Sequence, residues 1–396
     1  MRMISKTFGE VFDLSLGRTP SRGDKTYWGG KNTWVSISDM SCGKYILNTK
    51  ECITDKALEE TGIPIVKKGT VIMSFKLSIG KVCIANKDLY TNEAIMAFTP
   101  KQGYDISPDY LYYYLQAYKW TGSNEVVLGF TLNKKTISSS IISYPSSIEE
   151  QQRIVGILDA EFEKIDALKA NAEKNLQNAK DLFQSALKKE LEPKDGWTTK
   201  TIQEIAELKG GKRVPKGYKL ITDRTDHPYI RVADFDGNGG VDLSDIHYIS
   251  DSVYEGIKRY TITTDDVFIS IAGTIGKSGI IPIQLNGANL TENACKLVLK
   301  RNIDKRYVYY CTISSNFQEQ ITKLTMQAAQ PKLALTRLAT AIIPIPNKTE
   351  DQQTIADLLE QLNEKCIVLQ DNYTQTIALC DDLKQALLRK AFSGEL

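Results

Sequence analysis

Histidine is almost missing from this chain. Its 396 residues include only His227 and His247, which read as loop or surface residues and not as a catalytic base or metal ligands. The seven cysteines (Cys42, Cys52, Cys83, Cys295, Cys311, Cys366 and Cys380) are odd in number and contain no Cys-x-x-Cys pair. That argues against a disulfide frame or a zinc site and suits buried thiols in a reducing cytosol. No apolar run approaches the length of a membrane span, and the opening Met1-Arg2-Met3-Ile4-Ser5-Lys6-Thr7 has no signal-peptide pattern. A cytoplasmic location is expected. Catalytic motifs are lacking too. Gly273-Thr274-Ile275-Gly276-Lys277-Ser278 invites comparison with a phosphate loop, but such a loop needs glycine at 271, where Ile271 stands. A hairpin turn is the expectation there. There is no Asp-Pro-Pro-Tyr or Asn-Pro-Pro-Phe turn for adenine methylation, no glycine-rich S-adenosylmethionine loop, and no Glu-x-Lys after Pro108-Asp109 at nuclease spacing.

What the chain does have is repetition. From Glu149 to Lys189 the positions spaced 3–4 apart read Ile154, Leu158, Glu161, Ile165, Leu168, Ala172, Asn175, Ala179, Leu182 and Ala186. The stretch Glu350 to Lys390 repeats them 201 residues later as Ile355, Leu359, Leu362, Cys366, Leu369, Tyr373, Thr376, Cys380, Leu383 and Leu387. An apolar period near 3.5, held this long, argues for two coiled-coil seams that bury each other; a plain helical hairpin inside one domain is the alternative. Both runs start alike, Tyr144-Pro145 before Glu150-Gln151-Gln152 and Ile345-Pro346 before Asp351-Gln352-Gln353. Proline bars helix on its N-terminal side, and acids suit the first turn.

The segments between the helices match as well. Phe8 to Leu14 and Ile202 to Leu208 read as short amphipathic helices, each followed by a Gly/Pro/basic loop. The strand Trp34-Val35-Ser36-Ile37-Ser38-Asp39 matches Tyr229-Ile230-Arg231-Val232-Ala233-Asp234. Hairpins at Gly80-Lys81 and Gly276-Lys277, the phrases Thr91-Asn92-Glu93-Ala94 and Thr291-Glu292-Asn293-Ala294, and aromatic helices at Tyr110 to Leu115 and Tyr307 to Tyr310 complete the correspondence. The fold class is α+β: a tandem duplication of two mixed α/β domains, 1–148 and 193–348, separated and closed by long helices, 149–192 and 349–396. The loops differ; Asp234-Phe235-Asp236-Gly237-Asn238-Gly239-Gly240 has no equal in the first half.

Charge follows the same division. Each lobe carries a net +5, whereas 149–192 carries −3 and 349–396 carries −5. Basic lobes on acidic helices suggest that the lobes meet a polyanion. In the first lobe the candidates for base and phosphate contacts are Arg18, Arg22, Lys25, Lys76, Lys81 and Lys134. In the second they are Lys212, Arg213, Lys216, Arg224, Arg231, Lys277 and Lys332. Arginine can fork onto guanine, and lysine mostly anchors phosphate.

With the repeat, both helix starts, Trp34 to Met40 and the closing Ala391-Phe392-Ser393-Gly394-Glu395-Leu396 in hand, the chain resembles, over its full length, the specificity subunits of type I restriction-modification enzymes. Tyr144-Pro145-Ser146-Ser147 departs from the usual double proline of that family but leaves the helix start intact. The resemblance implies a noncatalytic DNA-reading chain in which two target recognition domains each read half of a split, asymmetric sequence. It also implies that the antiparallel helix pair docks two adenine-N6 methyltransferase subunits, with Gln151, Gln152, Gln352 and Gln353 at the contact. A motor-nuclease subunit would join them, and S-adenosylmethionine, Mg and ATP would belong to those partners, none to this chain. A 41-residue helix spans about 60 Å at roughly 1.5 Å per residue, enough to space two readers about one or more DNA turns of roughly 34 Å apart. A stand-alone DNA-binding or scaffold protein, and a nuclease with an unrecognised site, are the alternatives from other classes.

Overall fold

Thr7 opens the fold of the first lobe by capping a single helical turn, Phe8–Val11, and Thr201 does the same for Ile202–Ile205. Glu10 and Glu204 accept a hydrogen bond from the Thr7 and Thr201 N–H groups at 2.8 and 2.7 Å. Bonds from the two threonines hold both carboxyls below the usual carboxylate range, Glu10 at about 2 chiefly through the Thr7 N–H and Glu204 chiefly through the Thr201 hydroxyl. The computed structural model describes residues 3–41, 43–76, 78–120, 132–325 and 331–395; Cys42 and Leu396 lie outside them. The chain divides into two compact units, Met1–Ala172 with Gln375–Leu396, and Glu173–Thr374.

In the first unit the helix expected to reach Leu14 stops at Val11, and Phe12–Leu16 is a strand. Phe12 and Leu14 point inward and Asp13 outward, a period of two that suits its antiparallel pairing with Ile95–Pro100. The sheet continues through Val71–Ser74, Val82–Ala85 and Tyr45–Ile46. A second sheet joins Glu51–Ile53, Trp28–Val35 and Tyr90–Thr91. The central strand ends at Val35, not at Asp39, because Asp39 accepts the Ser36 N–H at 2.8 Å and curls the chain into the turn Ile37–Ser41. The Tyr-rich helix is present as Pro108–Ala117, with Tyr110, Tyr113 and Tyr114 buried.

The second unit repeats this plan. Ala206–Gly210, Ala294–Leu299, Val267–Ser270 and Ser278–Gly279 form one sheet, and His247–Tyr248, Pro228–Ile230 and Asn289–Leu290 the other. Here too the opening helix stops early, at Ile205, and Asp234 accepts the Arg231 N–H at 2.6 Å to end the central strand. The aromatic helix is Lys305–Ile313.

The two long helices run Ile148–Glu190 and Thr349–Ser393. Within the first unit the start of one packs on the end of the other: Ile154 and Leu158 share a core with Leu388 and Ala391, and Lys169 meets Asp381 at 2.7 Å. Within the second, Phe183 and Leu187 share a core with Ala356, Leu359 and Cys366. Each pairing is antiparallel. The seam departs from the expected heptad. Ile165, Ala172 and Ala179 are buried at seven-residue steps, while Leu168 and Leu182 are each 51% exposed. Their repeat counterparts Leu369 and Leu383 are exposed as well, at 39% and 48%. Near the lobes burial follows four-residue steps, Phe183 to Leu187 to Leu191, because the aromatic helix covers that face. No helix among the described residues is long and apolar enough to cross a membrane.

Candidate nucleic-acid interface

The basic loop of each lobe is pinned by a glycine. A Cβ on Gly17 would stand 2.0 Å from the Thr91 carbonyl oxygen, and one on Gly211 would stand 2.1 Å from that of Thr291. Only glycine permits this approach. It lets Arg18 N–H donate to Thr91 O at 2.8 Å and Lys212 N–H to Leu290 O at 2.8 Å. From below, Trp34 Nε1 donates to Arg18 O at 3.2 Å, and Tyr229 Oη donates to Lys212 O at 2.8 Å. An acid from the repeated Thr-Asn-Glu-Ala or Thr-Glu-Asn-Ala phrase closes the cradle: Glu93 accepts from the Thr19 hydroxyl, and Glu292 from Arg213 Nε, both at 2.5 Å. The Thr19 hydrogen bond, aided by the nearby Lys76 cation, keeps Glu93 below the ordinary glutamate range. Bonding to Glu292 raises Arg213.

On this shared cradle the lobes mount different side chains. In the first, the Arg22 guanidinium lies 4.0 Å from the Trp28 ring centre and 5.2 Å from that of Trp34. It also forks onto Glu51 at 2.5 and 2.9 Å. Arg18 reaches the Thr61 carbonyl, and Lys25 begins an exposed turn capped by Asp24. In the second lobe Lys212 Nζ lies 5.7 Å from the Tyr260 ring centre. Lys216 and Arg224 are exposed, Arg224 on a cleft with Thr225, Leu243 and Tyr248.

The hairpins give a second shared element. Buried Ser74 donates its hydroxyl to Ser78 O at 2.6 Å and accepts Lys81 N–H at 3.1 Å; Ser270 does the same with Thr274 O and Lys277 N–H at 2.5 and 2.9 Å. This is the turn expected in place of a phosphate loop. Lys81 Nζ is tied back to Ser41 Oγ at 2.8 Å. Lys332 is exposed beside the second hairpin, bridging Ala272. Lys76 is exposed in the first hairpin, and Lys134 begins a short helix that packs on the opening turn.

Two sets of candidates have other work. Arg231 spends its guanidinium on Asp234 at 2.6 Å, Asp245 at 3.0 Å and His247 Nε2 at 3.3 Å, which makes it a staple of the acidic loop. That loop places Asp234, Asp236, Asn238, Gly239, Asp242 and Asp245 at calcium-loop spacing. Its carboxylates are committed to Arg231 and to the N–H groups of Asn238, Gly240 and Ser244. Among the described residues no group of three or more His, Cys, Asp or Glu could hold a metal ion. The expectation that Gln151 and Gln352 face a partner is corrected. Both are buried, at 0% and 1% exposure, with their amides bonded inside their own lobes. Gln152 and Gln353 are exposed. Trp28, Glu51 and Glu292 escaped the sequence reading, although the repeated Thr-x-x-Ala phrase around Glu292 was the available signal.

Paired lobes, each with a cradled basic loop on a duplicated scaffold, are what a protein with two nucleic-acid-reading domains needs. The sequence profile of the type I restriction modification DNA specificity domain matches residues 3–178 and again 194–378. The chain belongs to this family, that of the type I restriction-modification specificity subunits. It is 26% identical over 417 residues to the type I restriction enzyme MjaIX specificity subunit of Methanocaldococcus jannaschii, covering 99% of this chain and 93% of that one. It is 25% identical over 299 residues to the EcoBI specificity subunit of Escherichia coli, covering 67% and 60%. Among solved structures, a chain from a type I R-M system studied for complex assembly and conformational transition superposes with a TM-score of 0.80 at 17% identity, covering 100% of this chain and 98% of that one. The HsdS subunit from Thermoanaerobacter tengcongensis gives 0.57 at 18%, covering 100% and 97%. Both share the fold.

Proposed function

We propose that this chain is the noncatalytic DNA reader of a type I complex, in which each lobe recognises one half of a split, asymmetric duplex target and the long helices fix the spacer. The observation that carries this reading is the like anchoring of the basic loop in both lobes, by a glycine against the Thr91 or Thr291 carbonyl, with different side chains mounted on it. One anchored frame with two surfaces supports two specificities on duplex DNA. The exposed leucines support partner docking. Leu168 and Leu369, and Leu182 and Leu383, are repeat-related, so a partner that covers one set fits the other. Two copies of an adenine-N6 methyltransferase subunit are the proposed occupants, with a motor-nuclease subunit joining them. S-adenosylmethionine, Mg and ATP belong to those partners, and the complex works in the cytoplasm.

Selection from random duplex DNA by the chain, copurified with its host's methyltransferase, tests this. A split motif with one fixed gap is the expected result. A contiguous motif would leave one lobe without a role, and no enrichment despite a bound methyltransferase would leave a scaffold.

A further inference from the structure

The buried glutamines do something other than dock a partner. Gln151 Nε2 donates to the carbonyls of Asp105 and Pro145, both at 3.0 Å, and its Oε1 accepts the Ser107 N–H at 2.8 Å. Gln352 repeats the set: Nε2 to Asn302 O at 3.3 Å and Pro346 O at 3.2 Å, and Oε1 from Asp304 N–H at 2.9 Å. Each amide therefore joins three parts of one lobe. These are the first turn of a long helix, the end of the strand that leads into it (Ile141–Pro145 or Ile342–Pro346), and the segment that starts the aromatic helix. Tilting the lobe on its helix would break at least one bond and leave a buried polar group without a partner, a costly state.

We infer that Gln151 and Gln352 are positioning residues for the spacer. Each locks its lobe at a single angle on its own long helix, and so gives the gap between half-sites a single length. The inference rests on the bipartite reading above. It separates two properties that one chain must set: base identity in the loops, and gap length at the helix starts.

The test uses the complete complex with its copurified methyltransferase, selecting from random duplex DNA. Gln151→Met and Gln352→Met keep the side-chain length and remove all three hydrogen bonds; Gln102→Met, at an exposed glutamine in the turn before the first aromatic helix, is the control. The expected result is unchanged half-site bases in both amide variants, with gaps one base pair shorter or longer enriched on the order of tenfold over wild type, the scale of one or two lost hydrogen bonds. The control keeps the wild-type gap. If an amide variant does not assemble, Gln151→Asn, which withdraws the amide by one methylene, is scored the same way. A single gap length with uniformly weaker binding would reduce the amides to stability elements and overturn the inference, as would altered half-site bases. A wild-type complex that selects no split motif would remove the bipartite reading first, before any variant is compared, and the inference would fall with it.

Discussion

The two lobes agree where the backbone is anchored and differ where side chains leave it. Gly17 and Gly211, Ser74 and Ser270, and Asp39 and Asp234 make corresponding contacts. Above these points the first lobe mounts Arg22 on two tryptophans, and the second mounts an acidic loop stapled by Arg231. A frame held by the close glycine approach, backbone hydrogen bonds and the Trp34 or Tyr229 beneath tolerates such exchange, because Arg22 and the Arg231-stapled loop lie outside those contacts. The strongest test of this separation is to replace residues 193–348 with the lobe of another family member. One half-site should change completely and the other not at all; a change on both sides would break the comparison.

Next in size is damage to the frame itself. In Gly17→Ala and Gly211→Ala the new methyl would collide with backbone oxygen at 2.0 and 2.1 Å, costing about 1–3 kcal/mol through forced backbone shifts. Thermal unfolding and half-site binding should show each variant weakening its own lobe alone. Gly156→Ala serves as the opposite control. That glycine lies in the central helix with open space around it, so alanine should stabilise by about 0.5–1 kcal/mol.

The arginines should part company at about the same scale. Asp234 has 3% of its side chain exposed against 26% for Arg231. Arg231→Ala would strand a buried carboxylate and cost about 2–4 kcal/mol of stability. Arg22 pairs with the 41% exposed Glu51, so Arg22→Ala should cost under about 1 kcal/mol in stability, and about 1–3 kcal/mol in DNA binding if it reads a base. Equal stability losses in calorimetry would erase this difference between the lobes.

Much of this organisation was legible because duplication checks itself: the aromatic helices, the hairpins and both long helices recur in corresponding places. Boundaries were less legible. Phe8, Val11 and Phe12 fit a helix, while Phe12 and Leu14 fit a strand equally well; pairing with Ile95–Pro100 decided it. The heptad pattern marked Leu168 and Leu182 as apolar but could not show which apolar positions face a neighbour. The candidate site suffered from the same limit. Positive charge singled out Arg231 and Arg22 alike, and only the positions of Asp234, Asp245 and Glu51 in space separate a staple from a half-exposed arginine on an aromatic platform.

The smallest expected contrast is in thiol reactivity. The second lobe buries Cys295 and Cys311 completely, and burial pushes both thiols up to about 12. The reactive species is the thiolate, so burial keeps both thiols protonated and unreactive at pH 8. Cys52, in the strand Glu51–Ile53 of the first lobe, is partly exposed. Alkylation at pH 8 followed by peptide mass spectrometry should therefore label Cys52 in the native chain and leave Cys295 and Cys311 unlabelled until denaturant is added. Labelling of Cys311 at the rate of Cys52 would mean that the aromatic helix of the second lobe opens in the native state. Its frame would then be looser than that of the first, and the likeness between the two anchored lobes would be one of geometry without equal rigidity.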